Sequence, residues 1–137
     1  MVAYSFKREF ALPIITQVKR STIRPNGKRR HARVGDQLQH YTGMRTSACH
    51  LLMRVPCLFA APIEIHQSAV FVDGVRKVNP AFFANLALIE GFSSFGNMQA
   101  WFDRLYGLPA RDLTQIQWNP EAAEFIAETP QKVVSAA

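Results

Sequence analysis

The segment Lys19-Arg20-Ser21-Thr22-Ile23-Arg24 concentrates residues able to do chemistry. On a strand, Thr22 and Arg24 are two apart and share a face. Lys19 at the junction can turn toward them, so one surface would hold an amine, a hydroxyl and a guanidinium. Thr22 is a nucleophile only where a base takes its proton. Lys19 is that base only where desolvation or nearby positive charge lowers its pKa. Arg24 suits an oxyanion or a phosphate. A carboxylate must then orient the amine. The candidates are Glu90, alone in the apolar stretch between Phe82 and Met98, and Asp36. By spacing alone, Lys-x-x-Thr-x-Arg is short and common, and more often marks a polar strand beside a basic loop.

The elements that must position these residues follow from periodicity and turn signals. Phe6, Phe10, Ile14 and Val18 recur every four residues and predict a short helix over 6–18, weakened by Pro13. Residues 19–24 change to a strand that Pro25-Asn26-Gly27 stops, and Lys28–Arg33 (KRRHAR) forms a basic loop. Gly35-Asp36 opens a strand through Leu38 to Tyr41. Residues 48–60 read as a buried strand bent at Arg54-Val55-Pro56, and Ile63 and Ile65 alternate as in a half-buried strand. Asp73-Gly74 joins a hairpin within 69–78.

Asn79-Pro80 starts a helix that stops near Gly91. Ser94 caps a second, ending at Gly107, with Phe95, Met98, Trp101, Phe102 and Leu105 on one face. Residues 113–118 make a last strand, and Asn119-Pro120 begins a final helix over 121–127. Leu38, Leu52, Ile65, Val70 and Ile116 are expected to share one core, closed by Phe95, Trp101 and Phe102. The class is α+β: a mainly antiparallel sheet, or small barrel, with short helices.

The chain has 137 residues, 48% hydrophobic and 19% charged. That suits one folded domain over 1–128 with a loose tail at 129–137, and leaves no room for a second core. The longest uncharged apolar run, Val55–Ile63, is far short of a membrane span, and Lys7, Arg8 and Glu9 interrupt any signal-peptide pattern. A cytoplasmic location is expected. Cys49 and Cys57 make no disulfide framework. With His31, His40, His50 and His66 they lack the Cys-x-x-Cys or His-x-x-x-His spacing of a zinc site, so neither metal nor cofactor is expected. The net charge is +6, and residues 1–54 carry eleven lysines and arginines against two carboxylates. A basic half on a small domain suits phosphate recognition, with Lys28, Arg29, Arg30 and Arg33 as the contacts.

Several motifs then fall in a meaningful order. Lys19-x-x-Thr22-x-Arg24 precedes Gly35-Asp36-x-Leu38. Tyr41-Thr42-Gly43-Met44-Arg45-Thr46-x-x-Cys49 follows, then Glu90-Gly91-Phe92, Trp101-Phe102 and Ile116-x-Trp118. The ordered series, over residues 6–118, resembles the ASCH superfamily. The resemblance implies a PUA-like fold, a small β-barrel with helices packed around a cleft, and a role with RNA or modified nucleosides. One bacterial branch hydrolyses the acetyl amide of 4-acetylcytidine with a lysine, a threonine and a glutamate. Lys19 and Thr22 match these by motif, Glu90 by its place before the second helical segment, and Arg24 matches the arginine closing the motif. The usual glycine two residues before the lysine is Gln17 here, and KRRHAR is an insertion relative to the compact amidohydrolases. Other members of the superfamily are described as cutting RNA.

The resulting expectation is a cleft lined by Lys19, Thr22, Arg24 and Glu90 that takes RNA or a modified nucleoside, with Tyr41 and Arg45 as further substrate contacts. The reaction would be amide hydrolysis of an acylated cytosine. The rivals are a non-catalytic RNA-binding module and a ribonuclease that uses Lys19 and Arg24 on a phosphorane.

Overall fold

A computed structural model describes residues 1–125. The tail expected at 129–137 lies outside the described residues, as do residues 126–127 of the expected last helix. The strands are β1 (Val2–Phe6), β2 (Ser21–Pro25), β3 (Gln37–Thr42), β4 (His50–Ile65), β5 (Val70–Val72), β6 (Val75–Lys77), β7 (Ala110–Trp118) and β8 (Glu124–Phe125). The helices are α1 (Ala11–Ile15), α2 (Pro80–Glu90) and α3 (Phe95–Tyr106). The described strands form one mixed sheet, and the class is α+β.

The sixteen-residue β4 organises the sheet. Its first half pairs antiparallel with β3, and its second half with β7. β3 pairs parallel with β1, and β7 pairs antiparallel with β2, placing Thr22 opposite Ile116. The strand expected over 48–60, bent at Arg54-Val55-Pro56, and the one expected around Ile63 and Ile65 are a single strand, His50–Ile65. Pro56 is the last residue opposite β3, and the β7 ladder begins at Cys57. The proline, with no N–H to donate, thus sits where the strand changes partner.

The helix expected over 6–18 is replaced by three backbone states. Phe6 ends β1, Phe10 lies in a short 3-10 turn, and Ile14 is in α1. These three still pack in the first apolar cluster, whereas Val18, the last of the series, is exposed, so the four-residue spacing reported burial as far as Ile14 but not the backbone. The helix expected over 121–127 is also corrected. A 3-10 turn covers Pro120–Ala122, and Glu124–Phe125 pair with Met53 and Arg54 of β4. The Asn119 side chain caps only that turn before the open edge of β4 takes the chain.

The hairpin at Asp73-Gly74 and the helices α2 and α3 lie where expected. Asn79 caps α2 through Ala81 N–H, and Ser94 caps α3 through Asn97 N–H. The single core is corrected to two clusters. Leu38, Leu52 and Ile116 pack with Trp118 in one, and Ile65, Val70 and Phe102 in the other, against which Phe95 and Trp101 lie. β4 is long enough to serve both. The seam between them opens to the surface, and the cleft lies there.

Candidate active site in the seam between two cores

Lys19 reaches the seam through a constrained turn. After α1, Gln17 adopts a left-handed φ of 68° and its side-chain amide donates to Pro120 O at 2.9 Å. Lys19 N–H donates to Pro13 O, Arg20 N–H to Ile89 O and Trp118 N–H to Arg20 O. This turn is thereby fixed between the end of α2 and β7. On the other wall, α2 ends at Gly91 with φ +91°, and Glu90, its last residue, points inward with 1% of its surface exposed. A Cβ on Gly91 would lie 2.9 Å from Lys19 Cδ, so the cap and the lysine stem need each other's shape.

Lys19 is 3% exposed. Its Nζ donates to Ser21 O at 2.7 Å and to the backbone carbonyl of Glu90, and it stands 3.9 Å from Glu90 Oε1. The faces of Phe6 and Phe10 lie 5.6 and 4.8 Å from the nitrogen. Burial pulls the Lys19 pKa down to about 8, against the opposing pull of Glu90 and with a smaller push from Arg24. Burial likewise raises the Glu90 pKa; Lys19, Ser21, Gln115 and Arg24 counter part of that rise.

Gln115 Nε2 donates to Glu90 Oε2 at 3.1 Å, and the amide is almost wholly buried. Ser21 Oγ is buried but falls outside hydrogen-bonding geometry, so Gln115 is the firmer anchor. Sequence reasoning missed both residues. Nothing in the sequence sets Gln115 apart from Thr114 and Gln117, its polar neighbours on the same strand.

Thr22 is 4% exposed, and its hydroxyl accepts from Arg24 Nε at 2.9 Å. No hydrogen bond joins it to Lys19 among the described residues. Arg24 Nη2 donates to Ser5 O at 2.7 Å, while its guanidinium lies 4.7 Å from the Phe6 ring. These four side chains, with Phe10, Phe92 and Trp101, line a cleft of about 240 Å³. The arrangement presents an amine of lowered pKa, a hydroxyl and a fixed cation to one cleft.

No family model and no curated protein matches this sequence. Structural comparison does find similar folds. The ASCH protein of Zymomonas mobilis superposes with a TM-score of 0.51 over 97% of this chain and 92% of that one, at 13% identity. A point-mutant form of the same protein gives 0.50 over 98% and 94%, also at 13% identity. The chain has the ASCH fold.

On this ASCH fold the other sequence candidates fall into separate places. Asp36 is not at the cleft: it pairs with Arg30 at 3.0 Å and accepts from Arg33 N–H, so the buried carboxylate is Glu90. Lys28, Arg29 and Arg30 line a groove of about 370 Å³ whose wall includes Arg24, whereas Arg33 is outside it. Tyr41 is half-buried on β3, 3.4 Å from Gln39 Oε1, and Arg45 is exposed in a turn with φ 68°. Neither lines the cleft.

His40 is buried against Trp118, ring centres 4.2 Å apart, and burial drives its pKa to about 3. Among the described residues no cluster of His, Cys, Asp or Glu could hold a metal, and no helix is long and apolar enough to cross a membrane.

Proposed function

We propose that the cleft binds an acylated cytosine, in RNA or as a modified nucleoside, and hydrolyses its exocyclic amide. The observation that carries this is the buried Lys19, with its pKa lowered to about 8, sharing a cleft with Thr22 and Arg24. A surface lysine would be a poor base at neutral pH; this one is neutral for a useful fraction of the time. Thr22, already held by Arg24, suits the positioning of water better than direct attack. The neutral Lys19 amine takes a proton from that water as its oxygen adds to the acyl carbon. Arg24 faces the developing oxyanion. The C–N bond then breaks as Lys19 returns the proton to the leaving nitrogen, giving a carboxylic acid and the free exocyclic amine. Glu90 orients Lys19, and Gln115 orients Glu90.

The reading includes a PUA-like, barrel-like wrap of the sheet around the cleft. It also retains Tyr41 and Arg45 as rim contacts for larger substrates, and Lys28, Arg29, Arg30 and Arg33 as contacts for nucleic-acid phosphates. A second reading, RNA binding or RNA cleavage without amide hydrolysis, draws support from Arg24, which lines both the cleft and the basic groove.

The test is incubation with a panel of acylated nucleosides and a labelled single-stranded RNA, followed by mass spectrometry and gels. Release of the acyl group by the parent protein and its loss in Lys19→Arg support the amidohydrolase, since a guanidinium accepts no proton at working pH. Intact acylated nucleosides with bound or cut RNA would leave the second reading.

A further inference from the structure

Three cavities adjoin β1. Val2, Ala3 and Tyr4 line the basic groove, and Ser5, Phe6 and Lys7 line the central cleft. Ser5, Phe6 and Lys7 also line a third hollow of about 480 Å³, which adds Arg8. The basic groove thus meets β1 at its first residues and the cleft at its last, within an extended strand of about 13 Å, while the hollow lies across Ser5 to Lys7 from the cleft, toward Thr42 and His50. Neighbours share walls: Arg24 and Pro25 between groove and cleft, Ser5 to Lys7 between cleft and hollow.

Charge differs between centre and flanks. The one carboxylate in the central wall is Glu90, buried beside Lys19. No carboxylate lines either flanking cavity. Arg30 is tied to Asp36, but among the described residues Lys28, Arg29 and Arg8 form no ion pair. The centre is aromatic, with Phe92 and Trp101 in its wall and Lys7 Nζ 4.5 Å above the Trp101 ring. A flat ring suits that centre, and anions suit both sides. A free nucleoside leaves both flanks empty, and a mononucleotide fills one.

We infer that the occupant is an internal nucleotide of a single-stranded RNA, its base in the cleft and its flanking phosphates on the two basic sides. One phosphate meets Lys28 and Arg29; the other meets Lys7 and Arg8. A duplex must release its base to reach the cleft, so unpaired RNA is the matching form. This deepens the amidohydrolase reading and rests on it for the reaction, but not for the binding track.

The test compares a short RNA carrying one acetylated cytosine at its centre, the same RNA acetylated at an end, and free 4-acetylcytidine. The central position should be hydrolysed with a kcat/KM at least about tenfold above that of the nucleoside, with the end position between them. For binding of the unmodified RNA, read by Trp101 quenching, Lys28→Ala with Arg29→Ala should flatten the log K against log salt slope by about 1.4, and Arg8→Ala by about 0.7. Equal kcat/KM for nucleoside and central position would overturn the inference and leave the amidohydrolase standing. No turnover of any substrate would overturn the amidohydrolase, while salt-dependent quenching with those slopes would still support the track. Unchanged slopes in the variants would overturn the track whatever the turnover.

Discussion

Lys19 and the loop of Lys28 to Arg33 are both cationic, but their surroundings differ. Lys19 is buried, held by two backbone carbonyls and faced by Glu90. The loop's lysine and arginine side chains stand in solvent, although His31 and Ala32 anchor it to Tyr4, and among the described residues its one ion pair, Arg30 with half-buried Asp36, lies at the surface. Desolvation makes the first charge costly and its pKa movable; hydration leaves the second cheap, permanent and screened by salt. Proton transfer needs the first kind and backbone phosphate binding the second. Arg24 lines both cavities and is the physical link between the two.

Variants can break this contrast from either side. The largest effect should come from Lys19→Arg, which keeps a cation but removes the proton acceptor. Hydrolysis of the acylated base should fall by about 10²- to 10⁴-fold, measured as initial rate by chromatography, while RNA affinity persists.

Gln115→Leu should come next. It strips Glu90 Oε2 of its donor in a buried site, at a cost of about 1–3 kcal/mol in urea unfolding. The sign of its pH dependence is fixed. Glu90 holds a proton in the folded state at pH values where the unfolded chain has lost it, so stability falls as pH rises from the ordinary 4.5 through the raised folded value. The variant, with a still higher Glu90 pKa, should extend that fall to higher pH.

Gly91→Ala forces a side chain into a left-handed cap and against Lys19 Cδ at 2.9 Å. The backbone alone should cost about 1–2 kcal/mol. The lysine must also shift, so thermal stability and hydrolysis should drop together. The smallest effect belongs to the loop: Lys28→Ala with Arg29→Ala should change unfolding free energy by less than about 0.5 kcal/mol. A larger loss would mean that the loop is part of the structural frame, and the contrast would fail.

The sequence was most legible where local chemistry decides the backbone. Asn79-Pro80 and Gly91 bounded α2, Ser94 and Gly107 bounded α3, and Asp73-Gly74 marked the hairpin. It was least legible where distant pairing decides. β1 is a strand because β3, more than thirty residues away, pairs with it in parallel, and no local signal in Val2–Phe6 competes with the apolar spacing of Phe6, Phe10 and Ile14. β8 likewise depends on the open edge of β4.

At the site, Lys19, Thr22 and Arg24 could be read from strand spacing. The choice between Glu90 and Asp36 could not, because burial separates them and burial is a tertiary property. Ser21 and Gln115 went unnoticed for the same reason.

The central claim is that folding turns Lys19 into a base. An NMR titration that follows the Lys19 ε-amine in the intact protein tests this most directly. The predicted midpoint is about pH 8. It should fall further in Glu90→Gln, because the carboxylate is what favours the charged amine. The same shift makes stability rise with pH between about 8 and 10.5, where the unfolded chain binds the proton that the folded chain has released. A midpoint at the ordinary 10.5, unmoved in Glu90→Gln, would contradict the account.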